Sequence, residues 1–188
     1  MGKVLAILGS PHKEGITAAM LNCAADAAQQ AGWQVEKVFL YEKQIAFCKG
    51  CRRCMETKNC VQKDDMVEIT QQIRQCDRVI LAAPTYWANV PAAVKNLFDR
   101  LLGAAMEETN TFPKPRFSSD QQYLLLTACN TIFPFSRLCG QSTGTVRAMN
   151  EFFKTSGMRH LGTVTADGAK NQKGISLRLQ KKIRRYWN

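Results

Sequence analysis

Nowhere does the chain approach the roughly 20 consecutive apolar residues that a bilayer-crossing helix needs, so the sequence offers no membrane span. Histidine is scarce, at two residues, His12 and His160. No convincing nucleophile stands beside a neighbouring base, which is tolerable where a bound cofactor carries the chemistry. Linkers, internal repeats and low-complexity tracts are lacking, and at 188 residues the chain fits one domain, residues 1–188, with a proper core. Acidic residues are outnumbered 15 to 26 by Lys and Arg, for a formal charge of +11. That excess favours phosphate-bearing ligands, whereas no nucleic-acid motif accompanies it. The apolar stretch Val4–Leu8 is too brief for a signal peptide and continues into Gly9-Ser10-Pro11. A cytoplasmic protein is expected.

What the sequence has in regular supply is alternation of strand and helix patterns. Val4–Leu8 is a continuous apolar run, as in a strand buried on both faces. Thr17–Ala31 reads as an Ala-rich helix ended by Gly32. Val35–Leu40 makes a second strand, Asp64 and Asp65 mark a helix start, and Arg78–Ala83 is a third strand. Val94, Leu97, Phe98, Leu101 and Leu102 recur at helical spacing. Gln122–Ala128 is a fourth strand, Thr145–Ser156 a helix and Leu161–Thr165 a fifth strand. A basic helix is expected over 175–187, docked on its own domain or on a neighbouring subunit, with a membrane-surface helix as the competing reading. Buried strands alternating with helices imply an α/β fold: a doubly wound, five-stranded parallel sheet of flavodoxin-like order 2-1-3-4-5, with helices on both faces.

Two loops in that frame carry chemistry. Gly9 to Thr17 joins the first strand to the first helix, where unpaired N–H groups make an anion site. Gly15 allows close backbone approach, Ser10 and Thr17 bring hydroxyls, and Ile16 brings only its backbone N–H. The loop is neither a six-residue glycine fingerprint nor a Walker loop. After the third strand, Pro84, Thr85, Tyr86, Trp87 and Asn89 occupy the switch point of the sheet. Tyr86 and Trp87 offer flat faces for a tricyclic ring, and Thr85 and Asn89 hydrogen bonds to its polar edge.

The first loop resembles the Gly-Ser-Pro-x-x-x-Gly-x-Thr phosphate loop of the NADPH-dependent FMN reductase family, with His12 where many members carry Arg. Pro84, Tyr86, Trp87, Pro91, Lys95, Asp99 and Arg100 match a second pattern of the same family. The resemblance implies FMN bound by Ser10, His12, Gly15, Ile16 and Thr17 at its phosphate and by Pro84–Asn89 at its ring. A third contact loop is expected near 127–132.

Eight cysteines are too many to pass over. Cys23, Cys76, Cys129 and Cys139 are scattered and expected to be buried as small hydrophobes. Cys48, Cys51, Cys54 and Cys60 crowd a cysteine-rich insertion at 45–63, and a disulfide scaffold would be unusual in so long a chain without a secretion signal. Four thiolates suit a [4Fe–4S] cluster or zinc, and this compact run reads more like cluster ligation, with free thiols or disulfides as the other outcome. The spacing resembles that of iron–sulfur flavoproteins, although relatives known only as FMN reductases carry a similar run before Asp64-Asp65-Met66.

The expected function is an FMN-dependent NAD(P)H oxidoreductase with no catalytic side chain, passing electrons to a small-molecule acceptor or a redox carrier protein. Its rival is an electron-transfer iron–sulfur flavoprotein. A basic nucleic-acid- or zinc-binding module is the alternative of another class. Neither nucleic acid nor membrane is an expected partner, and a homodimer or homotetramer is expected.

Overall fold

A computed structural model of the chain describes residues 1–187. In chain order it runs β1 (Lys3–Leu8), α1 (Ile16–Gln30), β2 (Gln34–Phe39), α2 (Cys54–Thr57), α3 (Met66–Gln75), β3 (Arg78–Pro84) and α4 (Ala92–Ala105). Next come β4 (Met106–Glu107), β5 (Lys114–Pro115), β6 (Gln122–Cys129), α5 (Phe135–Leu138), α6 (Gln141–Ser156), β7 (Arg159–Asp167) and α7 (Leu177–Arg184). The main sheet has the order β2-β1-β3-β6-β7 with every pairing parallel. With the two-residue antiparallel pair β4–β5 set aside, that is the doubly wound order 2-1-3-4-5.

Burial follows position in the sheet. The central strands β1, β3 and β6 are covered on both faces and read as unbroken apolar runs such as Val4–Leu8. The edge strand β7 alternates buried and half-buried residues. Because side chains leave a strand on alternate faces, Leu5, Ile7, Val79, Leu81 and Leu125 pack under α3, α4 and α6. Val4, Ala6, Leu8, Ile80, Leu124 and Leu126 pack under α1 and α7. Among the described residues, no helix is long and apolar enough to cross a membrane.

Several local expectations shift. Helix α6 begins at Gln141 rather than Thr145, and α7 spans only Leu177–Arg184 of the expected 175–187. That basic helix packs on its own domain, with Ile183 and the following Trp187 buried. Arg78 brings the two indoles together: its guanidinium lies 4.3 Å from the Trp33 ring centre and 5.2 Å from that of Trp187. Cys23, Cys76 and Cys129 are buried, but Cys139 is exposed, because it falls in the surface turn after α5 rather than in the helix. Burial pushes the Cys76 thiol up to about 12, which leaves it inert.

Candidate functional site: a cleft at the switch point of the sheet

At the C-terminal ends of β1 and β3, where the strand order reverses, lies a cleft of about 460 Å³. From the first loop it takes Ser10, His12, Glu14, Gly15, Ile16 and Thr17, and from the second Pro84, Thr85 and Tyr86. Helix α1 starts here from an extended Gly15, and no described side chain caps it. Its first N–H groups therefore face the cleft without an intrahelical partner. The hydroxyl-bearing Ser10 and Thr17 are buried beside them, and Ser10 Oγ accepts from the His12 N–H at 3.2 Å. An uncapped helix start among buried hydroxyls is a cradle for a phosphate-sized anion.

The second loop is a tight two-residue hairpin. Tyr86 N donates to Asn89 O at 2.9 Å and Asn89 N to Tyr86 O at 3.0 Å. Between them Trp87 and Ala88 both take positive φ, 51° and 56°, as a primed turn demands although neither is glycine. Strain of that kind persists only where the surroundings impose it. Thr145 of α6 supplies much of the hold: its Oγ1 donates to Asn89 O at 3.0 Å and lies 3.1 Å from Thr85 Oγ1. Gly144 completes it, since any Cβ there would run into the Ala88 carbonyl.

The structure therefore gathers most of the residues singled out in the sequence, but not all. Ser10, His12, Gly15, Ile16, Thr17, Pro84, Thr85 and Tyr86 share the cleft. Trp87 does not join them; the turn throws its ring outward, 99% exposed. Asn89 lines a different, apolar groove between α4 and α6, and its Oδ1 accepts from the Val90 N–H at 2.8 Å. Asn130, within the third contact loop expected near 127–132, also lines the cleft, as do Ala169, Lys170, Gln172 and Lys173, which sequence patterns alone pass over. The only available signal for that turn is that it follows a strand of the parallel sheet at the same end.

A second polar centre fastens the cysteine segment. Arg100, its side chain wholly buried, donates to both carboxylate oxygens of Asp64, at 2.7 and 2.8 Å, and to the Ala46 carbonyl. Its Nε donates to Cys60 Sγ at 3.2 Å. Asp64 also accepts from the N–H groups of Met66 and Ala46, and Asp65 from that of Gln44. The two carboxylates stand at the start of α3, as expected from the sequence, and tie it to residues 44–46. Asn96 adds a further tie, accepting from the Cys48 N–H at 3.3 Å. At Gly103 the Cys54 backbone comes so close that only glycine fits.

Cys48, Cys51, Cys54 and Cys60 all stand as free thiols, the first two exposed. Hydrogen bonds from Arg53, backbone first and then side chain, pull the Cys51 thiol down. Thiolate character is thus favoured at Cys51. Among the described residues, however, no three such side chains are gathered closely enough to hold a metal.

Comparison with known proteins fits this geometry. A stretch of 100 residues, 53% of this chain, is 43% identical to an iron-sulfur flavoprotein of Archaeoglobus fulgidus and covers 46% of that protein. The chain thus spans about half the length of the relatives it matches. An azoreductase from Bacillus anthracis superposes with a TM-score of 0.78 at 14% identity, covering 100% of this chain and 99% of the other. The NAD(P)H:quinone oxidoreductase from Methanothermobacter marburgensis gives 0.76 at 15%, over 99% and 97% of the two chains. These two likenesses speak for the fold alone. Residues 2–114, which hold both cleft loops and the cysteine segment, match the family described as NADPH-dependent FMN reductase, and the chain belongs to that family.

Proposed function

We propose that the chain binds FMN in the switch-point cleft and acts as an NAD(P)H-dependent oxidoreductase, passing electrons to a small-molecule acceptor of the quinone kind or to a redox carrier protein. The observation that carries this reading is the meeting, in one cleft, of an uncapped helix start with buried hydroxyls and a strained loop bearing Tyr86. Bound FMN would supply the redox step, accepting hydride from a nicotinamide and releasing electrons singly or in pairs. The chain's part is to bind and orient. The N–H groups opening α1, with Ser10 and Thr17, suit the phosphate, and Tyr86 offers a flat face for the ring. Thr85, whose N–H donates to Ala128 O at 2.9 Å, keeps that loop from drifting. No side chain is assigned a proton-transfer role. Acid release of one FMN per chain, together with NAD(P)H oxidation coupled to quinone reduction, tests the proposal. A colourless protein that takes up no FMN would overturn it.

A second reading, an electron-transfer flavoprotein holding a [4Fe–4S] cluster on Cys48, Cys51, Cys54 and Cys60, is supported by the lowered Cys51 thiol, by the Arg100 hydrogen bond to Cys60 Sγ and by the name of the Archaeoglobus relative. It requires the exposed segment 45–63 to close around four sulfurs. Iron and sulfide analysis of anaerobically purified protein, beside a Cys51→Ser variant, distinguishes the readings. Their absence in the parent leaves a plain FMN reductase, and zinc in their place would make the segment a structural metal site.

A further inference from the structure

We propose that Lys170 and Lys173, on the turn that follows β7, supply the positive charge that holds the FMN phosphate, an inference that rests on the FMN reading of the cleft. The phosphate loop is short of charge for that task. Its one lysine, Lys13, is turned away, paired with Glu42 and set over the Phe39 ring. Glu14, on the same loop, lines the cleft and brings a negative charge to it. The start of α1 contributes the equivalent of about half a positive charge, against close to two negative charges on a phosphate monoester near neutral pH.

Lys170 and Lys173 both line the cleft, both are exposed, and neither is ion-paired among the described residues. The turn that carries them is a built one. Gly168 N donates to Thr131 O at 3.0 Å, and Ala169 is buried against the sheet. The Gln172 side chain donates back to the carbonyls of Asp167 and Gly168, at 3.1 and 3.3 Å. The turn lies outside residues 2–114, so the family match says nothing about it.

The test is flavin titration, followed by fluorescence, of the full chain and of a Lys170→Gln/Lys173→Gln variant, with FMN and with riboflavin, which lacks the phosphate. FMN affinity should fall about tenfold in the double variant, the loss of charge-assisted contacts worth about 1.4 kcal/mol, and riboflavin affinity should not move. A Lys170→Glu/Lys173→Glu variant should lose more, with the same indifference to riboflavin. Equal losses for both flavins would make the turn a structural wall only and overturn the proposal. Unchanged FMN affinity with a raised KM for NADPH would assign the lysines to the nicotinamide's phosphates and overturn it equally. A parent protein that binds neither flavin removes the FMN reading and this inference with it, whereas a parent that binds FMN normally beside an unaffected variant removes this inference alone.

Discussion

Arg100 heads the largest side chains withdrawn from solvent, and its pairing with Asp64 is the clearest residue-scale commitment in the molecule. Removing one member of such a pair strands the other charge. Asp64→Asn should therefore cost about 3 kcal/mol, read as a lowered midpoint in chemical denaturation. Burial alone would raise the Asp64 carboxyl, but the hydrogen bonds from Arg100, Met66 and Ala46 outweigh it and hold its pKa below the usual carboxylate value. Since the folded value lies below the unfolded one, this stabilisation is fully present above a pH of about 4 and is lost as pH falls through the folded value. The parent should lose stability across that acid range more steeply than the Asn variant. At the cleft, Thr17→Asp sets a carboxylate, nearly buried, where the phosphate is proposed to sit. FMN affinity should drop about a hundredfold or more; an unchanged dissociation constant would remove the phosphate assignment.

At the scale of elements, the aromatic loop depends on α6. Gly144→Ala sets two effects against each other. Alanine favours a helix over glycine by about 1 kcal/mol, but its methyl would overlap the Ala88 carbonyl. The overlap involves backbone on both sides and should win, so the variant is expected to melt lower and to bind FMN about tenfold more weakly. If the variant melts higher with FMN affinity intact, α6 is not what holds the turn. The C-terminal segment makes the complementary case. Trp187, edge-on to Trp33 at 6.0 Å and 74°, closes the core over α1. Trp187→Ala should cost about 3–4 kcal/mol, and truncation after Gly174 should cost at least as much. Unaltered thermal unfolding in both would mean that α7 only rests on the surface.

For the whole molecule, the apolar groove beside the aromatic loop bears on assembly. The groove of about 350 Å³ between α4 and α6 is lined by Phe98, Leu102, Met106 and Phe152, with Phe98 and Phe152 stacked at 4.3 Å. A homodimer or homotetramer, the assembly expected from the sequence, would bury this groove if a second copy docks on it. Sedimentation should find a dimer or larger in the parent and a folded monomer in Leu102→Glu. A monomeric parent would refute the assembly. The formal charge of +11 acts on the same scale: a phosphate-bearing ligand would be attracted to the molecule, and added salt would screen that attraction.

Sequence by itself determined the frame, because its signals there are short-range and periodic. Continuous apolar runs such as Val4–Leu8 and the helical stripe from Val94 to Leu102 specify elements whose order admits few topologies. The uncapped helix start after Gly15 was legible for the same reason, since a glycine-containing turn before a helix leaves its first N–H groups open wherever it occurs. Only the tertiary structure decided which way side chains turn. Tyr86 lines the cleft and Trp87 leaves it, through two consecutive positive-φ residues imposed by Gly144 and Thr145 some 55 residues later. Arg100 meets Asp64 and Cys60 across comparable separations, and the turn with Lys170 and Lys173 reaches the first loop only because the parallel sheet brings all its strand ends to one side. Contacts between residues so far apart in the chain leave no periodic trace along it; they exist once the fold has brought the surfaces together.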